Sequence, residues 1–214
     1  MASIIDICNT GLAHVGSDNV ISSIDPPDGS TEAGYCKRFY PIARKELIER
    51  FVWPFATKRQ TLASVTNPSA VWSQAYAVPA DCIRPVRVLT AQAANALLWE
   101  YSAGKLSHSS LFDDSASAPY EIEDGVLLTH EPEAVLLYLR DVVDTTRFTP
   151  LFVSGLGFLL ASYLAGPMVR GADGARAAQN YRQLAMAQGD NAMTMAARGS
   201  HEEHFHIAAH LAAR

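Results

Sequence analysis

The chain has 214 residues, of which 49% are hydrophobic and only 18% charged, with a formal net charge of −5. That length and apolar content allow a sizeable core, arranged as one large domain or two small ones. The acidic balance excludes the basic surface that a DNA-binding module needs for phosphate neutralisation, so tight nucleic-acid binding is not expected.

Ser3 as N-cap, with Asp6 three residues later as its capping-box partner, predicts the start of a first helix that ends at Gly16. Ile5, Cys8, Leu12 and Val15 form its apolar stripe, and the second helix is the expected surface for that stripe to pack on. The second helix is entered from the turn Pro26-Pro27-Asp28-Gly29 and capped by Ser30 or Asp28. Its buried face is predicted to be Ala33, Cys36, Tyr40, Ala43 and Leu47, with Glu46 and Arg50 pairing one turn apart outside. Pro41 falls mid-helix at a cost of roughly 3 kcal/mol unless the helix yields, so a kink is expected there. The helix breaks at Trp53-Pro54. Phe51, Trp53 and Phe55 alternate where the helical period gives way to a period of two, which makes Trp53, Pro54 and Phe55 the predicted hinge of the fold, wedging the helix end against a sheet.

From Ala56 the pattern changes to short alternating runs. Residues 57–63, 83–91, 97–101, 120–123, 126–129 and 135–141 are the candidate strands, and Asp124-Gly125 is a strong hairpin signal. Short turns between consecutive strands predict one antiparallel, one-sided sheet. Residues 106–119, rich in Ser, Ala and Asp, are the expected loop.

Thr149 as N-cap and Pro150 at the first helical position open a third helix, in which no charge appears between Arg147 and Arg170. The stretch is long enough to span a bilayer, but Ser154, Gly155, Gly157, Ser162, Gly166 and Pro167 dilute it and no aromatic or basic anchors flank it, so a buried helix is preferred and no membrane partner is expected. Burial all round suggests that neighbouring subunits cover part of it. A fourth helix runs from Asp173 towards Ala197, with an interruption possible at Gly189-Asp190-Asn191 and one face formed by Ala178, Tyr181, Ala185, Gln188 and Ala192. The resulting fold class is α+β: a mainly helical bundle of four helices with an inserted antiparallel β-sheet domain. Its divisions are residues 1–55 and 149–198 for the bundle, 56–148 for the β domain and 199–214 for a docking tail.

Chemistry is sparse. Cys8, Cys36 and Cys82 are odd in number and widely spaced, and read as reduced core thiols of a cytosolic assembly environment. The first residues, Met-Ala-Ser-Ile-Ile-Asp, lack a basic region followed by an apolar run, so no secretion signal is expected. His201 and His204 could meet on one helical turn around Glu202 and Glu203, but a metalloprotease helix requires its two histidines four apart and these are three apart. Gly155-Leu156-Gly157 lacks the third glycine of a dinucleotide loop, and Phe152 stands where a nucleophile elbow needs its first glycine. Trp72, Tyr76, Trp99 and Tyr101 could present a stacking face, although cross-strand pairs explain them better. No catalytic residue, metal site or cofactor is therefore expected. The competing enzymatic reading is a small metal-dependent hydrolase using the terminal histidines.

An ordered set of short motifs gives a second line of inference. It runs Leu12-Ala13-His14-Val15-Gly16, Ile21-Ser22-Ser23-Ile24, Glu32-Ala33, Phe39-Tyr40-Pro41 with Ala43-Arg44, and Trp53-Pro54-Phe55-Ala56-Thr57-Lys58-Arg59. Trp72, Ala75-Tyr76, Pro79-Ala80-Asp81-Cys82 and Phe148-Thr149-Pro150-Leu151-Phe152 complete it. Taken together, residues 2 to 185 resemble the tail tubular protein A family, the head-to-tail adaptors of short-tailed phages. The resemblance implies a structural virion protein in the tail or neck, assembled in the host cytoplasm. It implies a homo-oligomeric ring, a dodecamer by family expectation, that joins the portal protein to the tail nozzle protein and lines the channel through which DNA leaves without tight binding. Under this reading Phe152, Gly155, Leu159, Tyr163, Tyr181 and Ala185 would form the subunit interface. The tail, through His201, His204, Phe205, His206, Ile207, His210 and Leu211, would dock on the portal. Cys8, the His-rich terminus and the weak similarity past Ala185 depart from the family pattern.

Overall fold

The structure, a computed structural model, describes residues 2–90, 117–169 and 171–199, with side-chain burial followed to residue 196. The strand expected at residues 97–101, Trp99 and Tyr101, most of the 106–119 loop and the terminal histidines lie outside these residues. The fold is α+β, with four helices and two antiparallel sheets.

Helix α1, Ile4–His14, begins as its sequence dictates: the Asp6 amide donates to Ser3 Oγ at 3.1 Å, and the Ser3 amide donates back to Asp6 Oδ2 at 2.8 Å. Gly16, at φ 79°, lets the chain reverse so that the Ser17 and Gly16 amides close on the Leu12 and Ala13 carbonyls. Helix α2, Thr31–Arg50, starts on Ser30, whose Oγ accepts from the Ala33 amide, while Asp28 in turn accepts from the Ser30 hydroxyl and amide. Both candidate caps thus act in series. The helix is continuous through Pro41, and its predicted stripe of Ala33, Cys36, Tyr40, Ala43 and Leu47 is wholly buried.

Helix α3, Pro150–Val169, opens with the Phe152 amide donating to Thr149 Oγ1, and helix α4, Gly171–Gly199, runs back along it. Gly189 does not interrupt α4. It makes room: a Cβ there would stand 2.2 Å from Phe51 Cε2. The partner of α1 is chiefly α3 and only slightly α2, contrary to the sequence expectation. Glycines explain the choice, since a Cβ on Gly11 would approach Leu160 Cδ2 to 3.1 Å and one on Gly157 would approach Thr10 Cγ2 to 3.3 Å. Backbones that approach this closely need a residue without a side chain at the crossing. A helix apolar on all sides needs cover, and α1, α2 and α4 of the same chain pack on α3 and bury half of its residues, leaving Gly166 and Val169 exposed near its end. By length and composition it is also the one described helix that could cross a membrane.

Among the described residues, two short 3-10 turns, Pro54–Ala56 and Thr145–Arg147, and seven strands lie between α2 and α3: β1 (Thr57–Thr61), β2 (Gln74–Ala77), β3 (Cys82–Leu89), β4 (Ser117–Ala118), β5 (Tyr120–Glu123), β6 (Val126–Thr129) and β7 (Val135–Arg140). They form two sheets, not the single one expected, with orders β1-β7-β3-β4 and β2-β6-β5. The β5–β6 hairpin turns at Asp124 and Gly125, both at positive φ, as the dipeptide predicts. Strand β2 escaped the sequence reading because Gln-Ala-Tyr-Ala has too little β-branched content to stand out. Pro85 cannot donate to the ladder, and the register of β3 on β7 shifts on both sides of it, passing over Ile83 and Val86. Those two residues pack into the helical core. The facing surfaces of the sheets share a smaller core of Leu62, Tyr76, Val88, Leu127, Leu136 and Tyr138.

Candidate functional site

The joint between bundle and sheets is the most constructed part of the molecule. Trp53 is fully buried, and its Nε1 donates at 2.8 Å to the Leu47 carbonyl, one of the four at the end of α2 that the helix itself leaves unsatisfied. Its ring meets Phe152 edge-on at 4.9 Å, Phe51 at 5.9 Å and Phe55 at 6.0 Å. Phe55 continues the cluster to Phe152 at 5.0 Å and to Phe148 at 5.6 Å. Trp53, Pro54 and Phe55 therefore do form the turn between helix and strand, with Pro54 opening the 3-10 turn. The aromatic wedge, however, is driven against the start of α3 rather than against a sheet, because the rings of Phe148 and Phe152 supply the matching edge and face geometry.

Two ionic groups brace this joint. Arg44, almost fully buried, donates to Asp141 at the end of β7 through Nε and Nη2, over 2.7 to 3.2 Å, and Lys45 Nζ stands 3.7 Å from the same carboxylate. Nearer the sheet edge, Asp81 accepts from the Tyr138 hydroxyl at 2.7 Å and from Lys58 Nζ at 3.1 Å. Burial disfavours the Asp81 carboxylate, but these hydrogen bonds outweigh it and hold the group below its usual carboxylate range. Sequence reasoning passed over both groups because their partners are far apart along the chain. One signal was available: Arg44 follows Tyr40 by four and precedes Leu47 by three, which puts a charge on an apolar stripe.

A cleft of about 460 Å³ runs between the end of α2 and the middle of α4, lined by Glu46, Arg50, Gln179, Arg182, Gln183 and Asp190 among others. Glu46 accepts from the Tyr163 hydroxyl at 2.5 Å and pairs with Arg182 across the cleft, so it is not the Arg50 partner expected from helical spacing. Burial, and then the Glu46 contact, push the Tyr163 hydroxyl upwards. Tyr40 is more isolated still. Its hydroxyl, enclosed beside α1 without a hydrogen-bond partner, is pushed up to about 12 by burial.

The residues expected to meet a neighbouring subunit are placed differently. Phe152, Gly155, Leu159 and Ala185 are buried inside the single chain. A Cβ on Gly155 would touch Gln188 Cβ and Leu47 Cδ2 at 3.5 Å. Tyr163 and Tyr181 are half-buried, Tyr163 bonded to Glu46 and Tyr181 donating to the His14 carbonyl. Phe152, Gly155, Leu159 and Ala185 thus pack within one copy, whereas Tyr163 and Tyr181 keep part of their surface exposed. The tail residues His201, His204, Phe205, His206, Ile207, His210 and Leu211 lie outside the described residues. Among the described residues, no three His, Cys, Asp or Glu side chains gather as a metal site. The three cysteines are free; Cys8 and Cys36 are buried, while Cys82 is half-buried.

No protein-family model matches the chain, and a search of curated proteins finds no match either.

Proposed function

We propose that the chain is the repeated subunit of a head-to-tail adaptor, similar to the tail tubular protein A family, joining portal to tail nozzle around the DNA ejection channel. The observation that carries this reading is where the ordered motifs fall: several occupy joints of the fold, and Phe39-Tyr40-Pro41 and Ala75-Tyr76 lie inside α2 and β2. His14-Val15-Gly16 closes α1, Ile21 exchanges hydrogen bonds with the Asn9 side chain, Trp53-Pro54-Phe55 makes the aromatic turn, Asp81 ties β3 to Tyr138 and Lys58, and Thr149-Pro150 starts α3. Recognisable residues spent on helix ends, turns and ties between strands suit a rigid mechanical part. Charge fits as well. Twelve copies at −5 each would carry about sixty negative charges, and whatever part faces the bore repels DNA and keeps it moving.

The test is attachment. Tail-less, portal-bearing heads of the phage that encodes the chain, incubated with the purified protein, should acquire a ring at the portal vertex under the electron microscope, and that ring should then accept nozzle protein. Heads that stay bare reject the proposal. Truncation after Arg198 should weaken attachment; unchanged attachment would remove the tail from the portal contact while leaving the adaptor itself in place.

A further inference from the structure

Among the described residues, the β domain ends in two open backbone edges of opposite charge. Strand β1 lies at the edge of its sheet, with β7 on one side only, and β5 lies at the edge of the other sheet, with β6 on one side only. Apart from the Thr57 amide, which closes the preceding turn on Trp53, no backbone hydrogen bond among the described residues reaches the outer side of either strand. The β2 edge is closed, since the Val65 amide donates to the Ala75 carbonyl and the Ala77 amide to the Ala63 carbonyl, both at 2.9 Å. Strand β4 is only two residues long.

Charge distinguishes the two open edges. Strand β1 reads Thr-Lys-Arg-Gln-Thr, with two cations and no acid; β5 reads Tyr-Glu-Ile-Glu, with two acids and no cation, and Asp124 follows it. Lys58 is engaged with Asp81, but Arg59 enters no ion pair or hydrogen bond. Its Nε is buried without a partner. On β5, Glu123 likewise makes no hydrogen bond or ion pair and is exposed, while Glu121 accepts only from Trp72 Nε1, at 2.9 Å.

We infer that β1 of one copy pairs edge to edge with β5 of a second copy, joining the two sheets across a subunit boundary with Arg59 against Glu121 and Glu123. The inference rests on the assembly reading above and names its joining surface. Open edges invite pairing, and like charges facing across a strand pair oppose it. A β1–β1 contact sets Lys58 and Arg59 against their own kind, and a β5–β5 contact does the same for the glutamates. Only β1 with β5 is attractive. Side-chain alternation then places Arg59 opposite one glutamate with the other on the diagonal, still within reach of so long a side chain. A contact between unlike surfaces is head-to-tail, the kind that closes into a ring when the rotation permits. Burial of the Arg59 guanidinium already disfavours its charged form, and a carboxylate from a neighbour would restore it.

Cross-linking and charge exchange test this together. In a Cys82→Ser background, chains carrying Arg59→Cys and chains carrying Glu123→Cys are mixed and oxidised at high concentration. The expected product is the mixed disulfide dimer, with either chain alone giving at least tenfold less. Equal yields from the single chains, or no mixed product at all, overturn the inference. By sedimentation, Arg59→Glu alone and Glu121→Lys with Glu123→Lys should each lose self-association, and all three changes in one chain should restore it; unaffected association in the partial variants also overturns it. Melting curves unchanged from wild type show that the variants are folded. If heads acquire rings equally well with all variants and no cross-link forms, the edge contact fails and the adaptor reading survives. If the cross-link forms but heads stay bare, the edge contact survives and the adaptor reading fails.

Discussion

Around α3 the chain supplies its own cover, with α1, α2 and α4 each packing on a side and burying half of its residues; the β domain buries the facing surfaces of its two sheets and leaves backbone edges at β1 and β5 among the described residues. Both regions are poor in catalytic chemistry, yet they finish in opposite ways. Glycines and alanines in α3 and α4 bring helices of one chain together, so a charge-poor helical face is by itself no guide to contacts between copies. Hydrogen-bonding edges in a sheet are a better one, because their unmet donors and acceptors persist however well the side chains pack.

The contrast is broken most directly at the aromatic joint that belongs to both regions. Trp53→Ala removes the largest buried side chain among the described residues and the donor to the Leu47 carbonyl, leaving Phe51, Phe55 and Phe152 around a void. A loss of about 4 kcal/mol is expected in urea unfolding, with helical and sheet signals falling together. A loss confined to one of the two signals would show that the joint supports that region alone.

Gly189→Ala probes the enclosure from the helical side alone. The added methyl would overlap the Phe51 ring at 2.2 to 2.6 Å, and Phe51 is already held edge-on to Trp53. A destabilisation of about 2–3 kcal/mol is expected, measured as a lower midpoint with unchanged m. The preference for Ala over Gly in helices predicts the reverse sign, about 1 kcal/mol of stabilisation, so the direction alone decides whether the close contact is real.

Much of this architecture was legible from local chemistry. Ser3 with Asp6, Ser30 with Asp28, Thr149 with Pro150 and Asp124-Gly125 each state their own geometry, and the α2 stripe needed only its spacing. What could not be read were choices between partners. Nothing near Leu12 says that α1 will lie on α3 rather than on α2, because that depends on Gly11 and Gly157 meeting across some 146 residues of chain. Two sheets rather than one follow from β7 returning between β1 and β3, a crossover that no turn signal records. Glu46 found Arg182 instead of Arg50 for the same reason: local spacing lists candidates, and tertiary placement selects among them.

Arg44→Met tests the ionic brace between the regions. It keeps the packing of the stem but leaves Asp141 with only Lys45, at 3.7 Å. Because the Asp141 side chain is 25% exposed, the cost is discounted from that of a fully buried pair to about 2 kcal/mol. Adding Asp141→Asn to Arg44→Met should recover part of the loss, as removing the second charge relieves the first deletion. A double variant no better than the sum of the two single ones would mean that the contact carries no coupling.

The smallest effect concerns how the two regions respond to acid. In the bundle, His14 stacks on Phe158 at 4.4 Å, and burial lowers its pKa. The neutral ring is the one that fits, so the stability it contributes is complete above the ordinary histidine value and is lost as pH falls below it. In the sheet, Asp81 is held below the usual carboxylate range, so its contribution is complete above about pH 4 and is lost only as pH falls through the lowered folded value. His14→Phe should therefore flatten stability between neutrality and mildly acid pH, whereas Asp81→Asn should leave that range unchanged and flatten only the more acid limb. Asn keeps an acceptor for the Tyr138 hydroxyl, which limits the change to the titrating charge and its Lys58 contact. Parallel melting series from neutral to strongly acid pH distinguish the two, and overlapping losses in one window would mean that the regions do not titrate independently.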